Sequence, residues 1–122
     1  MQISRTNRIL LFALGVVLSM IWQAAAYTAT IDGATWTYEV VNGNAVITGV
    51  SSDSSDLKVP SKVGYYKVTS ISTCFKYNTR IVSIEVPSSI TGIDDDAFYG
   101  CQNLTTVTLS AVKNIGARAF SG

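Results

Sequence analysis

No histidine occurs anywhere in the 122 residues. That absence removes Ser-His-Asp and Cys-His nucleophilic systems and the usual zinc sites, all of which rely on an imidazole. Charge is scarce as well: 14% of residues are Asp, Glu, Lys or Arg, and the formal net charge is +1. A chain so balanced has no basic field to hold nucleic acid or an anionic membrane surface. No glycine-rich phosphate loop is present, because Asn42-Gly43-Asn44 has the form of a hairpin turn. No cofactor and no metal is expected.

The longest apolar run is also too short to span a bilayer. Ile9 to Trp22 is uncharged over 14 residues, which as a helix covers about 21 Å against a hydrocarbon core of about 30 Å. Arg5 and Arg8 precede it and Ala24-Ala25-Ala26 follows, the small-x-small pattern of a signal peptidase site. The reading is a signal peptide over residues 1–26, cleaved after Ala26, and a secreted or cell-surface protein. Contact with a membrane is then limited to this segment before cleavage. No cysteine follows the run, which argues against a lipid anchor at this point. Removing Arg5 and Arg8 leaves seven basic side chains against eight acidic ones.

The two cysteines, Cys74 and Cys101, would enter an oxidising compartment, where a disulfide is permitted. They occupy different positions in successive repeats, so symmetry does not make them neighbours. Small buried thiols are expected.

What the sequence has in abundance is repetition. Val68, Ile90 and Val112 are each 22 residues apart, as are Ile71, Ile93 and Ile115; Phe75, Phe98 and Phe120 follow at spacings of 23 and 22. Ile81/Leu104, Ile84/Val107 and Val86/Leu109 match after the phenylalanines. A half-unit, Leu57 to Val63, matches Ile84 to Ile90 with Pro60 over Pro87. "SIEV" and "TVTL" alternate apolar and polar residues, so each predicts a short strand with one buried face. One unit of 22 residues cannot close a core; stacked units can, by pairing their strands in parallel and aligning their apolar columns.

Upstream, Thr35 to Val50 alternates Trp36, Tyr38 and Val40 with polar residues and turns at Asn42-Gly43, which predicts a β-hairpin. The organisation is therefore a hairpin cap with a polar loop over residues 27–56, then about two and a half repeats over 57–122. The last repeat stops before its strand. Its bare end is expected to be a fragment boundary of a longer array or a face for self-association.

On these residues the chain resembles the BspA-type leucine-rich repeat, whose unit runs I-G-x-x-A-F-x-x-C/N-x-x-L-x-x-V-x-I/L. Ile93, Ala97, Phe98, Cys101, Leu104, Val107 and Leu109 fill that pattern, and in the first unit Cys74 and Asn78 stand at the Ala and Cys/Asn columns. The resemblance implies a mainly β, right-handed leucine-rich-repeat solenoid, with a parallel sheet on one face and short helical or irregular turns on the other. It also implies an exported binding or adhesion protein, with a host or neighbouring-cell surface protein or glycan as partner, and no catalytic residues.

The candidate contact face lies on the predicted strands. Lys58, Glu85 and Thr108 form one outward column and Asp56, Ser83 and Thr106 another, with Lys58 beside Glu85 across adjacent strands. Tyr65, Tyr66 and Tyr77 read as cap and turn packing more than as contact aromatics. Asp94-Asp95-Asp96 has the composition of a calcium or glycosidase cluster. Three consecutive turn residues point in different directions, so a solvated turn is expected instead. Asn103-Leu104-Thr105 is a glycosylation sequon. The expected function is non-enzymatic recognition of protein or glycan through the repeat surface; the alternative is a structural spacer for a further domain.

Overall fold

The computed structural model describes residues 2–5 and 26–122. The apolar run and cleavage motif of the expected signal peptide fall outside the described residues, apart from Ala26. The backbone of β1 (Gln2–Arg5) pairs antiparallel with β2 (Tyr27–Ile31).

The cap has one strand more than expected. β2, β3 (Ala34–Val41) and β4 (Asn44–Ser51) form an antiparallel meander. Both of its turns are two-residue turns with left-handed φ: Asp32 and Gly33 at 52° and 84°, Asn42 and Gly43 at 52° and 81°. Two consecutive positive φ values match the twist of the flanking strands, and Asp-Gly and Asn-Gly adopt them readily. Trp36 and Tyr38 alternate inward along β3 and are fully buried with Ala45 and Ile47 of β4.

Two parallel sheets, where one was expected, carry the coils. The first comprises β5 (Asp56–Lys58), β8 (Ser83–Val86) and β10 (Thr106–Leu109), in the order β10-β8-β5. The second runs from the cap: β4 pairs in parallel with β7 (Tyr66–Ile71), which pairs with β9 (Gly92–Ile93) and that with β11 (Asn114–Ile115). The hairpin is thus the first rung of a sheet that the repeats continue. The inserted "GYYK" makes a small hairpin, in which β6 (Lys62–Val63) folds back on β7 through Gly64 at φ 62°. The corners are turns, with one 3-10 segment at Thr73–Phe75 as the regular helical piece among the described residues.

Between the sheets the apolar columns stack as the period requires. Phe75 and Phe98 lie 4.9 Å apart at 11°, and Phe98 and Phe120 5.0 Å apart at 4°. The ladder begins in the cap, where Trp36 meets Phe75 edge-on at 6.4 Å. Burial falls toward the last coil: Ile93 and Phe98 are buried, whereas Ile115 is 52% and Phe120 40% exposed. Cys74 stands next to Phe75 as Ala97 does to Phe98, and both cysteines are free thiols. Cys101 Sγ donates to the Phe75 carbonyl at 2.9 Å. Burial pushes both thiols up, Cys74 to about 12, so neither is poised as a thiolate nucleophile.

Candidate functional site

In the β5-β8-β10 sheet the register places Asp56 beside Ser83 and Ser83 beside Thr106, and likewise Lys58 beside Glu85 and Glu85 beside Thr108. Leu57 and Ile84 point inward and are buried. The strand period of two leaves the six polar residues on one outer face. All six sequence candidates are therefore brought together, as two straight columns.

The columns are largely satisfied among themselves. Ser83 Oγ donates to Asp56 Oδ1 at 2.6 Å, and Lys58 Nζ lies 3.8 Å from Glu85 Oε1 with both side chains well exposed. At such exposure an ion pair contributes about 0–1 kcal/mol. Glu85→Gln is therefore expected to lower stability by less than about 1 kcal/mol. Urea unfolding checks this, and a larger loss would mean the pair holds the strands together.

The aspartate cluster is a turn exposed at Asp94 and Asp95, as expected, and is also tied to the neighbouring coils. Asp94 N–H donates to the Ile71 carbonyl, which ties this turn back to the first coil. Asp95 Oδ1 accepts the Ala117 N–H at 2.7 Å, from the equivalent turn one coil on. Asp96 lies 3.5 Å from Lys76 Nζ on one side and pairs with Arg118 at 3.0 Å on the other. The cluster staples three coils; Asp96 and Arg118 are 22 residues apart, in one repeat column, whereas the bonds to backbone groups could not be read from side-chain identity. Gly116 has the same cause: a Cβ there would come within hard-contact distance of the Asp95 backbone N. Among the described residues no group of three His, Cys, Asp or Glu is placed to hold a metal ion.

A second constellation, at the corner after each phenylalanine, was missed in the reading of the strands. Tyr77 is 64% exposed and lies edge-on to Tyr99, with centroids 5.5 Å apart at 81°. Lys76 Nζ lies 5.4 Å from the Tyr77 ring centroid and 5.6 Å from that of Tyr99, and Arg118 stands 5.7 Å over Tyr99. The signal was available: Tyr77, Gly100 and Gly122 share one column, two residues after each phenylalanine. Tyr65 is fully exposed in the β6–β7 turn, while Tyr66 packs against the core. The sequon side chain is engaged, since Asn103 Nδ2 donates to the Thr79 carbonyl at 2.6 Å.

No curated protein sequence matches the chain. Among solved structures it is similar to a leucine rich cell surface protein from Faecalibacterium prausnitzii, with a TM-score of 0.67 and 27% identity over 76% of this chain and 27% of that one. A leucine-rich repeat protein from Bacteroides capillosus gives a TM-score of 0.58 and 28% identity over 68% of this chain and 65% of that one. The Treponema pallidum leucine rich repeat protein shares the fold, with a TM-score of 0.67 and 23% identity over 70% and 42% of the two chains. The chain thus spans about a quarter of the length of the first of these. The family model of the BspA type leucine rich repeat region matches residues 56–122 in six copies, more than half of the chain. The phenylalanine ladder and the register of β5, β8 and β10 are the physical form of that match: the chain belongs to the BspA-type leucine-rich repeat family.

Proposed function

We propose that this chain is an exported, non-enzymatic binding module that recognises a surface protein or glycan through its repeat surface. The observation that carries the reading is the straight polar face of β5, β8 and β10, where parallel register holds six polar side chains in two columns. Extended surfaces of this kind are what stacked repeats offer to partners. The absence of histidine from the sequence supports a role without nucleophilic chemistry. The similarity to a cell surface protein supports export.

The test is capture by the immobilised full chain of purified extracellular-matrix proteins and of a printed glycan array. Specific capture is expected, and capture of a protein is weakened by Lys58→Glu and by Glu85→Lys, each of which sets like charges side by side at an exposed position. No capture on either panel would sink the reading. A spacer role is the second reading, favoured by the unbroken aromatic ladder from Trp36 to Phe120. It gains ground if the chain captures nothing yet its removal from a longer array shortens the reach of a distal module.

A further inference from the structure

The corner residue two places after each phenylalanine has left-handed backbone: φ is 62° at Tyr77, 74° at Gly100 and 98° at Gly122. Glycine adopts this conformation freely, whereas a bulky aromatic residue is strained in it. Strain is usually offset by burial, but the Tyr77 side chain stays mostly in solvent. An exposed ring held at a strained position points to a use for the ring itself.

Its surroundings fix how it is presented. The ring lies against Gly100, where an added Cβ would come 2.6 Å from Tyr77 Cδ1, and its edge-on neighbour is Tyr99. Lys76 Nζ sits between the two rings and is anchored by Asp96, which also pairs with Arg118. The ring is therefore positioned before any ligand arrives, which lowers the entropy cost of binding. Asp96 Oδ1 is enclosed and faces Arg118 Nε at 3.0 Å, so the carboxylate positions its neighbours and does not reach a ligand itself.

The chemistry selects a ligand class. Lys76 and Arg118 share the carboxylate of Asp96, and Asp94 and Asp95 stand exposed in the same turn, so the corner presents no net positive charge to an acidic ligand. It offers a flat apolar ring with ammonium and guanidinium donors beside it. A neutral pyranose fits this set, with its C–H face on the ring and its hydroxyls meeting the polar rim. The strand face is built of Asp56, one Ser, two Thr and one matched ion pair, whereas tyrosine and arginine are the residues enriched where contacts carry energy.

We propose that Tyr77, with Tyr99, Lys76, Asp96 and Arg118, forms a subsite for a neutral saccharide at the turn edge of the three coils. It rests on the binding-module reading and moves the sugar contact from the strand face to the corner.

Amide chemical-shift titration of the full chain with cello-, manno- and chito-oligosaccharides at millimolar concentration tests it. Saturable shifts at Tyr77, Tyr99 and Gly100 are expected with at least one of the three. Tyr77→Gly should weaken that binding by about tenfold or more while the melting temperature holds or rises, because glycine relieves the backbone strain. Tyr77→Phe should retain most of it. Shifts confined to β8 and β10, unchanged binding in Tyr77→Gly, or no shifts with any sugar would overturn the proposal. If the sugars fail while matrix proteins are still captured, the subsite alone falls. If the sugars bind but neither panel is captured, the subsite stands and the broader reading falls.

Discussion

Phe98→Ala is expected to cost about 3–5 kcal/mol, the largest loss from any single truncation in the array. Phe98 is 1% exposed and has a parallel ring on each side, Phe75 at 4.9 Å and Phe120 at 5.0 Å. Truncation would open a cavity between coils, and hydrogen-bonded turns fence that cavity. Phe98 N–H donates to the Ala119 carbonyl and Tyr99 N–H to Asp96, so the backbone cannot collapse freely to fill it. A domain of this size has a total stability of about 5–15 kcal/mol, so the variant would be largely unfolded at modest urea. Phe120→Ala, at 40% exposure, should cost less than half as much. Urea midpoints of the two variants check the contrast, and equal losses would mean that the ladder does not set the stability.

Trp36→Ala is expected to cost a similar amount, about 3–5 kcal/mol, although it lies in the cap and outside every repeat. Trp36 is 1% exposed and touches Phe75 edge-on, and the strand after its own, β4, is hydrogen-bonded to β7. Cap and coils therefore share one core and one sheet. The loss should appear as earlier unfolding of the whole chain, seen as faster amide exchange at Ile71 and Ile93 as well as at Ile47. If exchange in the coils is unaffected, cap and array are separate cooperative units and this account of the ladder fails. A double-mutant cycle of Trp36→Ala with Phe75→Ala should show a coupling of about 0.5–1.5 kcal/mol.

The coils were legible in sequence because their cause is periodic. Columns such as Ile71/Ile93/Ile115 and Phe75/Phe98/Phe120 require a fixed spacing, and the strands of the first sheet alternate strictly, so register and outward face followed together. The second sheet was not legible. β9 and β11 are two residues each, too short to alternate, and they exist because β7 offers them an edge. Strand β2 had a readable signal in Asp32-Gly33 between "YTATI" and "ATWTYEVV", as strong as the Asn42-Gly43 that was used.

Of the candidate site, the six strand residues could be placed from register alone. The corner around Tyr77 could be located by its column but not assembled, because its contacts depend on where side chains from three turns point. Cation, carboxylate and rings come from two columns, Lys76/Tyr99 and Asp96/Arg118, whose residue types change from coil to coil. The aspartates show the same limit: a run of three acids reads as solvent-facing until the neighbouring coil supplies a backbone N–H and a guanidinium.

The two-column strand face has a definite scale. Three strands make two inter-strand steps, about 10 Å in all at about 4.8 Å each. Four residues along a strand add about 13 Å, so the patch measures about 130 Å², against about 800 Å² contributed by each partner in a standard protein interface. A globular partner resting on these strands must overhang them and reach the cap or the corners. A single sugar ring fits within one corner. In this chain, the dimensions of a ligand decide how many coils it touches.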